Sequence, residues 1–234
     1  MSVISIIPAR GGSKSIPGKN IKVLNGKPLV GYTIEQSLSS KVVDRTIVST
    51  DDEDIARVSQ NFGAEVPFLR PSSLSGDTVP DYPVIKHVLE FLIGDNQERP
   101  EIILYLRPTM PTRKVDDINR VVDMLLEDND ADSVLTTSPV PYSPYWVKLI
   151  NSDGYIEPYH DHVASFSKTR RQDHPNFIIC DGYADAAKVE SIIKHDSFPP
   201  GNIKSYHREN IQFIDLDTPE DWKYCQYYLK KGKL

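Results

Sequence analysis

The chain has 234 residues, a formal net charge of −6 and a pI near 5.5, a balance that excludes wholesale binding to nucleic acid or to an anionic membrane surface. Its two cysteines, Cys180 and Cys225, have no paired spacing, which excludes a disulfide scaffold and a structural zinc site and predicts free thiols. The opening segment MSVISIIPARGG lacks a charged leader and its apolar run is too short for a signal or a span, so a cytoplasmic protein of one large α/β domain, residues 1–234, is expected.

Val3 to Ile7 reads as a buried strand bounded by Pro8 and a pair of glycines. Asn25-Gly26 marks a turn, and Pro28 opens a helix with Val30, Ile34 and Leu38 on one face. Arg45 to Ser49 is a second strand, and Thr50-Asp51-Asp52 supplies a cap for a helix carrying Ile55, Ala56 and Val58. Val66 to Arg70 follows as a short third strand, then a turn-rich stretch and a helix with Val84, Ile85, Val88, Leu89 and Leu92. Glu101 to Leu106 is the most strand-like run, flanked by Pro100 and Pro108. Helix Val115 to Leu126 and strand Ala131 to Thr136 continue the series. Strand, loop and helix repeat in this order, which predicts an α/β fold: a Rossmann-like, mostly parallel sheet flanked by helices.

From Ser138 the texture changes to prolines and aromatics, then to a polar stretch with His160, His162, Lys168, Arg170 and Arg171, which reads as an inserted arm at about residues 139–176. Tyr142, Tyr145 and Trp146 there make either an oligomer contact or a cover for the domain's own core. Ile211 to Ile214 reads as a strand. Thr218-Pro219-Glu220-Asp221 opens the last helix with a capping box, and Lys230, Lys231 and Lys233 lie at its negative end.

The chemistry begins between Arg10 and Lys27. Arg10, Lys14, Lys19, Lys22 and Lys27 occur there without an acidic residue, in a chain that is acidic overall. Gly11, Gly12 and Ser13 let the backbone turn and aim N–H groups at an oxyanion, Gly18 permits a second close approach, and phosphate is the anion expected. The loop is neither a Walker motif nor a dinucleotide fingerprint: Gly12 and Gly18 stand one residue too far apart and Asn20 replaces the hydroxyl. The competing reading is a solvated basic surface loop.

A second signal is Asp215-Leu216-Asp217. In extended chain both carboxylates face one way and Leu216 the other. Two like charges so close raise one pKa unless a cation shares them, and Mg²⁺ suits one or two carboxylates plus waters and phosphate oxygens. A helix-capping role for one of the pair is the alternative. His160, Asp161 and His162 lack a third ligand of fixed geometry nearby, so a solvated loop is the expectation there. No nucleophile with a base partner can be assembled.

The stretches ARGGSKSIPGKNI, VSTDD (Val48 to Asp52), FLRPSSLSGD (Phe68 to Asp77), RPTMPTR (Arg107 to Arg113) and FIDLDTPED occur in the order, and over nearly the whole length, found in the acylneuraminate cytidylyltransferase family, which the chain resembles. The resemblance implies a Rossmann-like domain with a dimerisation arm, forming a homodimer or a dimer of dimers. It also implies an enzyme that joins CTP to a sialic-acid-like 3-deoxy-ulosonic acid with Mg²⁺, releasing pyrophosphate. It places the segment Ala9, Arg10, Gly11, Gly12, Ser13 and Lys14, with Lys19 and Asn20, on the triphosphate and ribose, and Arg70 near the cytosine. Asp215 and Asp217 would hold Mg²⁺, and Arg171 and Gln172 would lie on the sugar side. Arg10, Lys14, Lys19 and Asp217 would carry the catalysis, which is in-line attack of the anomeric hydroxyl on the α-phosphorus.

Two departures bear on the sugar. Arg107 stands where the family usually has a glutamine facing the sugar, and a guanidinium there can pair with a carboxylate or phosphate. Ile179-Cys180-Asp181-Gly182 replaces a common R-P-N-G. Arg107 would also suit a nucleotidyltransferase acting on a sugar phosphate. A rival of another class is a non-catalytic nucleotide-binding module, against which the retained Asp215 and Asp217 argue.

Overall fold

The structure is a computed structural model and describes residues 2–95, 98–140, 142–159, 175–208 and 214–231. Strand β1 (Val3–Pro8) leads through the glycine-rich loop to a small hairpin, β2 (Val23–Leu24) and β3 (Lys27–Pro28), and into helix α1 (Leu29–Leu38). Then come β4 (Arg45–Ser49), α2 (Glu53–Asn61), a 3₁₀ turn at Ser72–Leu74, and α3 (Asp81–Glu90) prolonged by a π turn, followed by β5 (Ile102–Tyr105) and α4 (Val115–Glu127). The second half comprises β6 (Ser133–Pro139), the hairpin β7 (Lys148–Ile150) and β8 (Ile156–Pro158), β9 (Ile178–Lys188), α5 (Val189–His195), β10 (Ile203–His207) and α6 (Pro219–Lys230).

Six strands form one sheet in the order β10-β6-β9-β5-β1-β4, in which β9 alone runs antiparallel to its neighbours. β1 lies inside the sheet, and its alternation supplies both faces. Val3 and Ile7 pack with Val30 and Ile34 of α1, Ile55 of α2 and Ile118 of α4, whereas Ile4 and Ile6 pack with Ile85 and Val88 of α3 and Val189 and Ile192 of α5. Ser5 faces the first set, where its hydroxyl meets Ser37 at 2.5 Å, and Ser37 meets Thr46 at 2.8 Å, so the buried hydroxyls satisfy one another.

A third cluster joins the two ends of the chain. Ile16 of the basic loop, Leu24 and Leu29 pack with Ile214, Leu216, Trp222 and Cys225, and Ile16 is 2% exposed. Lys22 lies over the Trp222 ring at 4.9 Å. This packing brings the loop against the segment that carries Asp215 and Asp217.

Several expected elements differ. Val66 to Arg70 forms no strand: it contributes an isolated bridge from Leu69 to Thr50, next to one from Glu65 to Ile47, because Pro67 has no N–H for a ladder. Leu38, expected on the buried face of α1, is 50% exposed at that helix's last position. The strand expected at Ala131 begins at Ser133. β9, α5 and β10 are additions. β9 reads IICDGYADAAK, and its buried Asp181 and Asp185 break the apolar pattern. Asp181 pairs with Arg208 and accepts from Ser138 at 2.5 Å, and Asp185 pairs with Arg107. Gly182 sits at φ +65° where the β6–β9 register slips. Of the strand expected at Ile211 to Ile214, residues 211–213 lie outside the described residues and Ile214 is not in a strand; β10 closes the sheet instead.

Of the arm, His160, Asp161, His162, Lys168, Arg170, Arg171 and Gln172 lie outside the described residues. The hairpin β7–β8 is a separate two-stranded sheet, Tyr142 and Trp146 are exposed, and Tyr145 meets Phe177 edge-on at 5.5 Å. The capping box of α6 is present, with Thr218 and Asp221 reciprocally bonded and Pro219 in the first turn. Both cysteines are free thiols, and no helix among the described residues is long and apolar enough to cross a membrane.

Candidate active site

The carboxyl ends of β1, β4 and β5 point the same way, and the segments leaving them form the walls of an open cleft of about 550 Å³. Such a crevice is where an open α/β sheet binds ligands. After β1 comes the basic loop and after β5 come Arg107, Pro108 and Thr109. Arg70 stands beside β4 because its N–H donates to the Thr50 carbonyl at 2.7 Å. The fourth wall is the terminal segment with Asp215 and Asp217. Lys19 bridges that wall to the loop: its Nζ donates to the Leu216 carbonyl at 2.8 Å and pairs with Asp217 at 3.3 Å. Leu216 N in turn donates to the Thr109 carbonyl at 3.0 Å, so the loop, the β5 end and the terminal segment are tied directly.

The loop's recognition groups are side chains more than amides. Arg10, Ser13, Lys14 and Lys19 line the cleft. Gly11 is different from expectation, because its N–H is taken by Asp51 Oδ1 at 3.0 Å and so is not presented to an oxyanion. Its lack of a side chain serves close approach: a Cβ there would lie 2.6 Å from Asp52 Oδ2, and Asp52 Oδ1 caps α2. Ser13 N donates back to the Gly11 carbonyl. Gly12 has open space where a Cβ would point, and Gly18 holds φ +63°. The Ala9 side chain is buried in the core and its N–H donates to the Ser49 carbonyl at 3.0 Å. Asn20 borders the cleft but is largely buried, its amide donating to the Arg10 carbonyl at 2.9 Å, so it braces the loop.

Arg10 pairs with Asp77 at 2.5 Å and donates to the Ser75 carbonyl at 3.4 Å; Lys14 also pairs with Asp77. Bonds from Lys14 and then Arg10 hold the Asp77 carboxyl below its ordinary range. Arg70 is buried, its Nε has no hydrogen-bond partner, and its guanidinium lies 4.0 Å from Asp51. Burial lowers its pKa, and the unpartnered Nε leaves a polar group in the wall able to read a ligand.

Arg107 is not a free anion receptor. It pairs with Asp81 at 2.5 Å and Asp185 at 2.8 Å, donates to the Gly182 carbonyl at 3.3 Å and lies over the Tyr105 ring. Tyr105 donates to the other oxygen of Asp81 at 2.9 Å. One guanidinium thus serves two carboxylates. The sequence reading missed Asp77, Asp81 and Asp185. Asp77 stood in the quoted FLRPSSLSGD stretch, Asp81 was legible only as a first-turn acid of α3, and Asp185 only as a polar break in an unrecognised strand.

Asp215 and Asp217 flank buried Leu216, not in the extended strand expected but in a tight turn closed by the Asp217 N–H on the Asp215 carbonyl at 3.1 Å, with Asp215 half-buried and Asp217 exposed. Burial raises the Asp215 pKa, and the Asp217 charge adds to the rise, opposed by a bond from the Thr109 side chain. Asp215 Oδ1 is buried without a hydrogen-bond partner. An orphaned carboxylate oxygen beside a second carboxylate fits a divalent cation. Among the described residues no third His, Cys, Asp or Glu completes the set.

A family model described as cytidylyltransferase matches residues 4–172. A CMP-N,N'-diacetyllegionaminic acid synthase of Legionella pneumophila is 34% identical over 226 residues, covering 95% of this chain and 94% of that protein. A pseudaminic acid cytidylyltransferase of Campylobacter jejuni is 38% identical over 244 residues, covering 98% and 97%. Among solved structures, a CMP:2-keto-3-deoxy-manno-octonic acid synthetase complexed with CTP superposes with a TM-score of 0.74 at 17% identity, each chain covered completely, a likeness of fold.

Proposed function

Because the chain belongs to the cytidylyltransferase family, we propose that it transfers a cytidylyl group from CTP to a sialic-acid-like nonulosonic acid, yielding the CMP-sugar and pyrophosphate. The observation that carries this reading is the single cleft in which Arg10, Lys14 and Lys19 face Asp215 and Asp217. The names of the relatives that match over nearly their whole length favour a nine-carbon sugar acid.

In the reaction the anomeric hydroxyl oxygen of the acid bonds to the α-phosphorus as the bond from that phosphorus to the bridging oxygen breaks. Pyrophosphate leaves and the hydroxyl proton passes to a base. Such transfers depend on positioning and on neutralising oxygens. Arg10, Lys14 and Ser13 hold the β- and γ-phosphates, Lys19 stands between the phosphates and Asp217, and Arg70 reads the cytosine. Mg²⁺ held by Asp215 and Asp217 would neutralise phosphate oxygens. Asp217, the exposed member, would receive the proton.

Arg107 weighs against a phosphorylated acceptor. Its guanidinium is already engaged by Asp81 and Asp185, so a second phosphate would have to displace a carboxylate to reach it. An acid whose substituents donate hydrogen bonds, such as acylamino groups, suits Asp81 better. Mass analysis of products from CTP, Mg²⁺ and a panel of N-acylated nonulosonic acids tests the reading, with ATP, GTP and UTP in parallel and sugar 1-phosphates as rival acceptors. A CMP-nonulosonate is expected; turnover only with a sugar phosphate, or with none of the panel, overturns it.

The arm is read as the contact of a homodimer. Ile150 and Ile156 on the hairpin β7–β8 are 77% and 64% exposed, with Leu149 and Tyr155 beside them, and a second copy would cover them. Light scattering is expected to give twice the chain mass. The substrates point to a cytoplasmic enzyme, where nucleoside triphosphates are made; fractionation of cells with an antibody against the chain tests that location.

A further inference from the structure

Each loop cation that lines the cleft is paired with a carboxylate from another wall: Lys19 with Asp217, and both Arg10 and Lys14 with Asp77. Asp217 has a role under the reading above, as a cation ligand. Asp77 has none, and it lies between the two groups expected to grip the outer phosphates. We propose that Asp77 is an internal surrogate for the triphosphate, a carboxylate that holds Arg10 and Lys14 until phosphate oxygens replace it, and so sets nucleotide affinity and speeds pyrophosphate release. This rests on the cytidylyltransferase reading of the cleft.

Three features carry it. One carboxylate uses both oxygens, Oδ1 on Arg10 and Oδ2 on Lys14, the way two phosphate oxygens would. Arg10 is tied to the same loop a second time through the Ser75 carbonyl, so the 75–77 segment as a whole faces the basic loop across the cleft. Phosphate oxygens arriving at Arg10 and Lys14 would stand against the Asp77 carboxylate, and like charges in contact repel, so one anion displaces the other. A monoanion has little advantage over the resident carboxylate, whereas a polyphosphate with its cation does. Once pyrophosphate is formed, return of Asp77 to the pair opposes rebinding.

The test is calorimetric titration of CTP and, separately, of inorganic pyrophosphate into the full chain and into Asp77→Asn, with thermal melting to verify that the variant is folded. Two partly exposed ion pairs must be exchanged in the natural chain and none in the variant, so about three- to tenfold tighter binding of both ligands is expected. In turnover, the KM for CTP should fall and inhibition by pyrophosphate should strengthen, while the KM for the sugar acid stays. Lys14→Gln should weaken pyrophosphate binding more in the Asp77→Asn background than alone. Unchanged or weaker CTP binding by a folded Asp77→Asn overturns the proposal and leaves the cytidylyltransferase reading standing. Failure of both proteins to bind CTP overturns that reading and the proposal with it.

Discussion

Replacing Asp215 with Asn should make the ligand-free protein more stable while removing its response to Mg²⁺. Asp215 is a half-buried carboxylate with one oxygen on Thr109, the other buried and unpartnered, and Asp217 two residues away. Leaving a buried acceptor unsatisfied costs about 1–3 kcal/mol. The amide keeps the acceptor for Thr109, puts a donor beside Asp217 and removes one of two like charges. At about 2–4 °C per kcal/mol for a chain of this size, the melting midpoint at neutral pH should rise by roughly 2–12 °C. The pH dependence separates this from a packing effect. A carboxyl whose folded-state pKa lies above its unfolded value destabilises the fold only when it ionises, so the penalty is absent in acid and develops as pH rises from the ordinary carboxylate range through the raised Asp215 value. The gap between variant and natural chain should therefore be widest at neutral pH and close as pH falls. Adding Mg²⁺ with a non-hydrolysable CTP analogue should reverse the order, stabilising the natural chain much more than the variant. The assay is thermal unfolding followed by circular dichroism at several pH values, with and without ligand. A variant that melts lower than the natural chain at neutral pH without Mg²⁺, or that responds to Mg²⁺ equally, would falsify the metal assignment.

Lys19→Met should lower kcat/KM by about 10²–10³-fold, the scale of losing one positioned electrostatic group, with a stability change too small to explain it; steady-state kinetics beside a melting curve separates the two. Arg208→Met leaves Asp181 buried without its partner and should cost about 3–5 kcal/mol, measured by urea unfolding, because Arg208 and Asp181 are both fully buried and Arg208 also lies 3.6 Å over the Tyr183 ring. Placing Asp at Ile150 and Ile156 together should convert the assembly to monomer in light scattering without shifting the circular dichroism of the sheet; an unchanged mass would move the contact elsewhere.

Much of the first half was legible because its strands are apolar runs and its turns are Gly, Pro and Asp at places the backbone requires. Asp52 capping α2 and the boundaries of β4 are of this kind, as is Thr218 capping α6 near the other end of the chain. β9 was not, because Asp181 and Asp185 are stabilised by Arg208 and Arg107, partners that only the folded chain brings near. The same cause misled the reading of Arg107, whose charge looks free in sequence and is held by two aspartates in the fold. The basic loop was recognisable from composition, but the use of Gly11 to approach Asp52, and the engagement of its N–H by Asp51, depend on contacts across about forty residues. The meeting of Lys19 with Asp217 follows from Ile16, Leu216 and Trp222 packing together, which no local pattern announces.

One ligand should touch both the early cations and the terminal aspartates. A crystal structure of the chain with a non-hydrolysable CTP analogue and Mn²⁺, with the metal located by anomalous scattering, addresses it directly. A Mn²⁺ peak bonded to Asp215 or Asp217 and to an analogue phosphate oxygen is expected, with the outer phosphates on Arg10 and Lys14. Phosphates bound away from the basic loop, or a metal that leaves both aspartates untouched, would contradict it.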